Sequence, residues 1–411
     1  MEKEKKAMEL LKKYEQDHII SWMEKLNNEE KNKLIDQVLN LNIDQVMDLY
    51  KNLNKTFEIG NKKIEKISAI DINKLTEEDF NKYKNIGTEY IKNGQYAVIT
   101  MAGGQGTRLG HTGPKGTFKV SLKNGDKYLF QIIVESLQKA SKKYNVIIPW
   151  YIMTSDENNN QTVEFLEEHN YFGYPKEKVH FFKQGKAPLV TTKGKLLIGK
   201  DKLIKEASDG NGSIYKSLGK NGIIKQMKEN NIKWVFVGGV DNILLKIVDP
   251  LLLGITVSEN NKIASKSVIK TNPKERAGVF CKIDGRPGII EYSELPEEMA
   301  EEVDEHGDLV YGDLNILSHL YNIEALDELS SKVLPYHIAE KKSNYLDENG
   351  NLVEPEGKNV YKFESFIFDA FSNYEDISIL RVKREEEFAP IKNKEGNDSP
   401  ETAIKLYNNR I

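Results

Sequence analysis

Between Ile99 and Gly116 the chain reads ITMAGGQGTRLGHTGPKG, so that six glycines, one arginine and one lysine follow directly on an apolar run. Gly103, Gly104 and Gly106 carry no side chain to keep a ligand off the backbone, and consecutive main-chain N–H groups in such a loop can wrap around phosphate oxygens. Arg108 and Lys115 add positive charge, and the combination suits a polyanionic ligand. Two familiar phosphate loops do not fit. Gly104, Gly106 and Gly110 are spaced G-x-G-x-x-x-G, not the G-x-G-x-x-G of the dinucleotide fingerprint, and no acidic residue ends a second strand about twenty positions on. His111 stands where an ATPase P-loop needs its lysine.

Such a loop must be held by regular elements. From Tyr96 short apolar runs alternate with helical patterns: YAVITMA, YLFQIIVESLQKA, VIIPWYIMTS, VEFLEEHNYFG and VHFFKQG. This predicts an α/β fold, a Rossmann-like mixed, mostly parallel sheet flanked by helices. The loop then follows the first strand and precedes a helix beginning near Tyr128, at the carboxyl end of a strand, where open α/β sheets bind ligands. Farther on, KIASKSVIKT and AGVFCKIDGRPGIIEYSEL predict antiparallel strands with a turn at DGRPG. Before Tyr96, Leu10, Leu11 and Tyr14, then Leu34, Ile35, Val38 and Leu39, recur at helical spacing among charged residues. We therefore expect a helical N-terminal domain over 1–90, a central α/β domain over 91–390 and a short tail over 391–411.

Composition narrows the class. In 411 residues, 59 Lys and Arg stand against 63 Asp and Glu for a net charge of −4, which gives no overall field for a nucleic acid or an anionic membrane. Cys281 has no second cysteine to pair with, which fits a reducing compartment. The opening MEKEKKAMELLKKYEQ is too charged for a signal-peptide core, and no run of about eighteen apolar residues occurs, so a cytoplasmic protein is expected.

The segment AGGQGTRLG followed by PKG resembles the signature loop of the UDP-sugar pyrophosphorylases, in particular their eukaryotic-type UDP-N-acetylglucosamine branch. The resemblance continues through IPWYIMTS, HNYFG, VHFFKQG, DGNGSIY, VDNIL, KTNPKERAGVF, EYSEL, FIFDAF and REEEFAPIKN, in the family's order and roughly its spacing. It implies a nucleotidyltransferase or glycosyltransferase-A-like fold, with UTP and a sugar 1-phosphate as substrates and a UDP-sugar and pyrophosphate as products. The nucleophile of that reaction is an ionised phosphate, so positioning and charge neutralisation are needed rather than a general base.

Carried residue by residue, the resemblance implies that Met101, Ala102, Gly103, Gly104, Gln105, Gly106 and Thr107 hold the nucleotide, with Gln184 and Gly210 on the uracil. Arg108, Lys115 and Lys392 would be the catalytic cations, and Asp241, at the end of the apolar run VFVGGV, would hold Mg²⁺. Asn211, Gly278, Glu291, Tyr292 and Asn315 would meet the sugar, while Phe366 and Phe368 either wall its acetyl pocket or are plain core on a strand. Two departures leave the sugar open: the family's NAGN is GDLN here, and its QGM-L-P is QGKAP. N-acetylglucosamine, glucose and galactose 1-phosphates all stay in view, as does a silent UDP-sugar-binding protein. The chain ends soon after Lys392, so the C-terminal domain of many eukaryotic relatives is expected to be absent and the protein a monomer.

Overall fold

A computed structural model describes residues 2–53 and 62–409. The chain divides into two units, a smaller one holding 2–53, 185–213 and 333–367, and a larger one holding 62–184, 214–332 and 368–409.

In the smaller unit the amphipathic N-terminal segments form four helices, Glu2–Lys13, Asp17–Met23, Asn28–Asn40 and Ile43–Lys51. Asn27 starts the third by a reciprocal capping box with Glu30, which satisfies two otherwise orphaned N–H groups. Their apolar faces, including Leu11, Ile19, Leu34, Val38 and Val46, pack on Val190, Leu196, Ile198, Ile204 and Phe363 from remote parts of the chain. Gln16, fully buried, joins these pieces: its amide donates to the Gly194 carbonyl at 2.9 Å and accepts from the Leu196 N–H at 2.8 Å. A three-stranded antiparallel sheet of His337–Lys341, Val360–Glu364 and Val190–Thr191 completes the unit.

The larger unit is built on one eleven-stranded sheet. Its strands are β1 (Ile64–Glu65), β2 (Ile70–Asp71), β3 (Tyr96–Met101), β4 (Trp150–Thr154), β5 (Val179–Lys183), β6 (Trp234–Gly239), β7 (Ile263–Ile269), β8 (Val279–Ile283), β9 (Arg286–Ile290), β10 (Asp313–Asn322) and β11 (Ser378–Arg381). The order is β2-β11-β7-β10-β6-β3-β4-β5, with β8 joined to β1, β9 and β10. Along that order β10 alone runs antiparallel to its neighbours. Every residue of β3, β4 and β6 is buried, as expected for strands covered on both faces. From β3 the chain moves outward through β4 to β5, then returns to the other side of β3 as β6, which places a topological switch point between β3 and β6.

The expected boundary near residue 90 is not where the structure divides. The helix Glu77–Lys92 belongs to the larger unit, crossing the helix Pro250–Ser258 so closely that a Cβ on Gly87 would lie 1.9 Å from the Pro250 carbonyl oxygen and one on Gly254 1.7 Å from that of Tyr83. Glycines at both contact points let the two backbones touch. The expected antiparallel hairpin is β8–β9, its turn at Asp284 and Gly285 with positive φ at both, as a type I′ turn requires. One unexpected hairpin, Lys119–Leu122 with Gly125–Tyr128, separates the glycine loop from the helix Leu129–Tyr144.

Candidate active site

The glycine-rich loop leaves the carboxyl end of β3 at the switch point. Met101 is the last strand residue, buried, and its carbonyl accepts from Val240 N–H at 3.2 Å; the Ala102 N–H donates to Met153 at 2.8 Å. The loop then doubles back on itself, since Gly106 N–H donates to the Gly113 carbonyl at 2.9 Å and Lys115 N–H to that of Gly104 at 3.1 Å, with Gln105 bridged to Pro114. Thr107–Leu109 form one 3₁₀ turn that Gly110 ends at φ +71°. Two residues that the sequence reading did not single out brace this fold. Asn158, fully buried, donates from Nδ2 to the carbonyls of Ala102 at 2.8 Å and Gly104 at 3.3 Å, and His111 Nε2 lies 2.8 Å from Thr117 Oγ1. Asn158 follows β4, the parallel neighbour of β3, and its place at that carboxyl end was the available signal.

Gln184 follows β5 and lies over the loop: a Cβ on Gly103 would come within 2.6 Å of its Oε1. On Gly104 the same atom would meet nothing within 4 Å, so that face of the loop is open. The buried Oε1 of Gln105 has no hydrogen-bond partner among the described residues.

Asp241 comes two residues after β6, beside the loop. Lys115 Nζ donates to its Oδ2 at 3.0 Å, joining two residues that are 126 apart in sequence. Burial pushes the Asp241 carboxyl up, but Lys115 and Lys392 outweigh that and hold it below the usual carboxylate range, so it is an anion at neutral pH. The segment bearing Lys392 runs alongside, with Ile391 N–H donating to the Asp241 carbonyl at 2.9 Å. Lys392 Nζ is 3.8 Å from Asp398 Oδ2 and is partly exposed. Arg108 has no ion-pair partner among the described residues, and it lines a cleft of about 730 Å³ with Arg276, Tyr292, Arg384, Lys392 and Asp398. The basic residues of KTNPKERAGVF and REEEFAPIKN supply this cleft, yet the sequence reading gave a role only to Lys392.

A second cluster gathers the sugar candidates of the larger unit. A Cβ on Gly278 would be 3.0 Å from Glu291 Oε1, and the Gly278 carbonyl accepts from Asn315 N–H at 2.9 Å. Asn315 Oδ1 accepts from Leu317 N–H at 3.0 Å where the register between β7 and β10 slips and Leu317 takes φ +55°. That bulge, strained for leucine, re-aims the asparagine. In the departure GDLN, Asp313 is committed elsewhere: Arg381 donates to it at 2.9 and 2.6 Å and Ser267 at 2.7 Å. Tyr292 is 47% exposed.

The smaller unit carries Gly210, Asn211 and Phe366. Gly210 sits at φ +90° with its missing Cβ 2.2 Å from the Ser365 carbonyl oxygen, and Asn211 Oδ1 accepts from Ile367 N–H at 2.9 Å. Phe366 packs on His337, ring centres 4.5 Å apart. The expectation that Phe366 and Phe368 alternate on a strand fails: the strand ends at Glu364, and Phe368 lies, buried, in a 3₁₀ segment of the larger unit.

A mostly parallel sheet with a doubled-back glycine loop at its switch point, cations on that loop and a carboxylate beside it, is the architecture of an α/β nucleotidyltransferase. The sequence matches the UTP–glucose-1-phosphate uridylyltransferase family over residues 47–398, and the chain belongs to that family. It is 39% identical over 339 residues to the UDP-N-acetylglucosamine pyrophosphorylase of Saccharomyces cerevisiae, covering 80% of this chain and 71% of that one. With UDP-N-acetylglucosamine diphosphorylase 2 of Arabidopsis thaliana the identity is 33% over 419 residues, 96% of this chain and 82% of the relative. The crystal structure of the UDP-N-acetylglucosamine pyrophosphorylase of Trypanosoma brucei superposes with a TM-score of 0.83 at 27% identity, covering 99% and 84% of the two chains. No helix among the described residues is long and apolar enough to cross a membrane.

Proposed function

We propose that the enzyme transfers a uridylyl group from UTP to N-acetylglucosamine 1-phosphate. An oxygen of the sugar phosphate forms a bond to the α-phosphorus of UTP, the bond from that phosphorus to the α,β-bridging oxygen breaks, and pyrophosphate departs with the electron pair. The observation that carries the reading is the loop of β3, open over Gly104, which bears both Arg108, without an ion-pair partner among the described residues, and Lys115, paired with Asp241. The matched relatives named for UDP-N-acetylglucosamine support the sugar.

Each residue then has a task. The loop N–H groups receive triphosphate oxygens, Gln184 pairs its amide with the uracil edge, and Arg108 takes up charge on the departing pyrophosphate. Lys392 reaches the phosphate that joins sugar to nucleotide. Glu291 accepts from sugar hydroxyls, with Gly278, Tyr292 and Asn315 beside it. Asp241 suits Mg²⁺, being an ionised hard oxygen donor; no group of three His, Cys, Asp or Glu able to hold a metal occurs among the described residues, so phosphates and water would complete its shell. When bound, the ion neutralises phosphate charge.

Pyrophosphate release from UTP and Mg²⁺ with the 1-phosphates of N-acetylglucosamine, N-acetylgalactosamine, glucose and galactose tests the reading. Preference for an N-acetylated sugar is expected, and preference for glucose would refute the sugar assignment. Arg108→Ala should lower kcat by about 10²–10³, the cost of losing one donor to developing charge, with the UDP-sugar dissociation constant little changed. Near-parent turnover would remove that role.

A further inference from the structure

One buried charge cluster in the larger unit has no part in the chemistry above. Lys266 of β7 is fully buried, its Nζ 2.6 Å from Asp249 Oδ2 and hydrogen-bonded to Glu387 Oε2. Asp249 caps the helix Pro250–Ser258, accepting at Oδ1 from Leu251 N–H at 3.0 Å. Buried ionic groups of this kind give little net stability compared with well-packed apolar residues, so what they fix in place is the better question.

Glu387 answers it. Its carbonyl accepts from Asn242 Nδ2 at 2.8 Å, and Asn242 Oδ1 in turn accepts from Ala389 N–H at 2.9 Å and Leu244 N–H at 3.2 Å. Asn242 is buried and directly follows Asp241, whose own carbonyl accepts from Ile391 N–H. One continuous set of contacts therefore runs from Lys266 through the Glu387 side chain into the segment 387–392, and Asn242 and Ile391 bind that segment to the backbone of Asp241. Lys392 is the next residue.

We propose that Lys266, acting through Glu387, is a positioning residue that sets the Lys392-bearing segment against Asp241. The inference rests on the uridylyltransferase reading and on Lys392 taking part in it. Burial leaves Glu387 almost no freedom, so the carboxylate fixes where the segment begins, and the hydrogen bonds of Asn242 fix its course. Without the Lys266–Glu387 link the segment keeps its sequence and its apolar contacts but loses the ionic anchor that selects one placement.

The test is a double-mutant cycle with Glu387→Gln and Lys392→Ala, assayed by pyrophosphate release and by UTP binding in calorimetry. Glu387→Gln keeps the shape and leaves Lys266 paired with Asp249. It should lower kcat at least tenfold while the UTP dissociation constant stays within threefold, and in the Lys392→Ala background it should lower kcat no further than twofold. A defect that only loosened the fold would multiply with the Lys392→Ala loss and weaken UTP binding as well. Glu387→Asp, which keeps the charge and shortens the side chain by one methylene, should give a smaller loss of kcat with the same silence in Lys392→Ala, and it carries the test if Glu387→Gln does not fold. Parent-like kcat in a folded Glu387 variant, or losses that multiply in the double variant, overturns the proposal. Parent-like turnover of Lys392→Ala alone overturns the role of Lys392 and this inference with it, while multiplying losses on a crippled Lys392→Ala overturn this inference and leave the reaction standing.

Discussion

Gly103 and Gly104 are neighbours that answer to different constraints. The first lies under the Gln184 amide, so a methyl group there would collide with protein; the second faces open space. Gly104→Ala should therefore leave stability to urea within about 0.5 kcal/mol while raising KM for UTP about tenfold, because the new methyl blocks the approach of phosphate to the loop N–H groups. Unchanged KM would place the triphosphate elsewhere. Asp241 makes a second residue-scale prediction. Its folded carboxyl titrates below the ordinary value, so the stability it contributes is present above the unfolded pKa and is lost as pH falls through the folded one. Lys115→Met removes a charge that holds it down and leaves burial to push it up. The acid limb of kcat/KM should then move to higher pH than in the parent, and an unmoved limb would show that Lys115 does not govern Asp241. The glycines, Arg108 and Lys115 were legible in the sequence as types at a spacing, and Asp241 only through the resemblance. Their pairing was not: Lys115 meets Asp241 across 126 residues.

Elements place these residues through contacts that tolerate little change. The helices Glu77–Lys92 and Pro250–Ser258 meet through Gly87 and Gly254 at backbone distance, and Gly254→Ala should cost about 1–3 kcal/mol by overpacking in urea unfolding, with kcat unchanged in molecules that remain folded. A neutral effect would mean that the helices part easily. Strand β3, the helix Leu129–Tyr144 and the β8–β9 hairpin could be read from periodicity and turn residues, because those signals are local. The hairpin between the glycine loop and that helix also had a local signal, Asn124-Gly125 after the alternating Lys119–Leu122, which the reading from sequence passed over. Phe366 and Phe368 looked like alternating strand residues, yet the strand stops at Glu364, where Ser365 N–H turns to the Asp209 carbonyl at 2.8 Å. A partner that far away in sequence leaves no trace in a local pattern.

At the scale of the molecule, each unit is assembled from three separate stretches of chain. The N-terminal helices cover their apolar faces with Val190, Leu196, Ile204 and Phe363, so the helical region expected over 1–90 is not a domain by itself. Ligand binding acts on the whole fold: UTP at one hundred times its dissociation constant should stabilise the protein by about 2.7 kcal/mol, read as a rise in Tm. With EDTA in place of Mg²⁺ the same UTP concentration should give a smaller rise, since Asp241 then faces phosphate without the cation. Equal shifts would argue against an ion at Asp241.

The sequence by itself determined the class of fold, the glycine loop after β3 and the ordered motifs of a uridylyltransferase, because alternating apolar runs and a glycine loop after a strand are short-range features with few structural solutions. Tertiary structure alone decided that Lys115 pairs with Asp241, that Asp313 of GDLN is held by Arg381, and that Lys266 reaches Glu387. Those contacts join residues 68 to 126 positions apart, and only the packing of strands from different parts of the chain into one sheet brings them within reach.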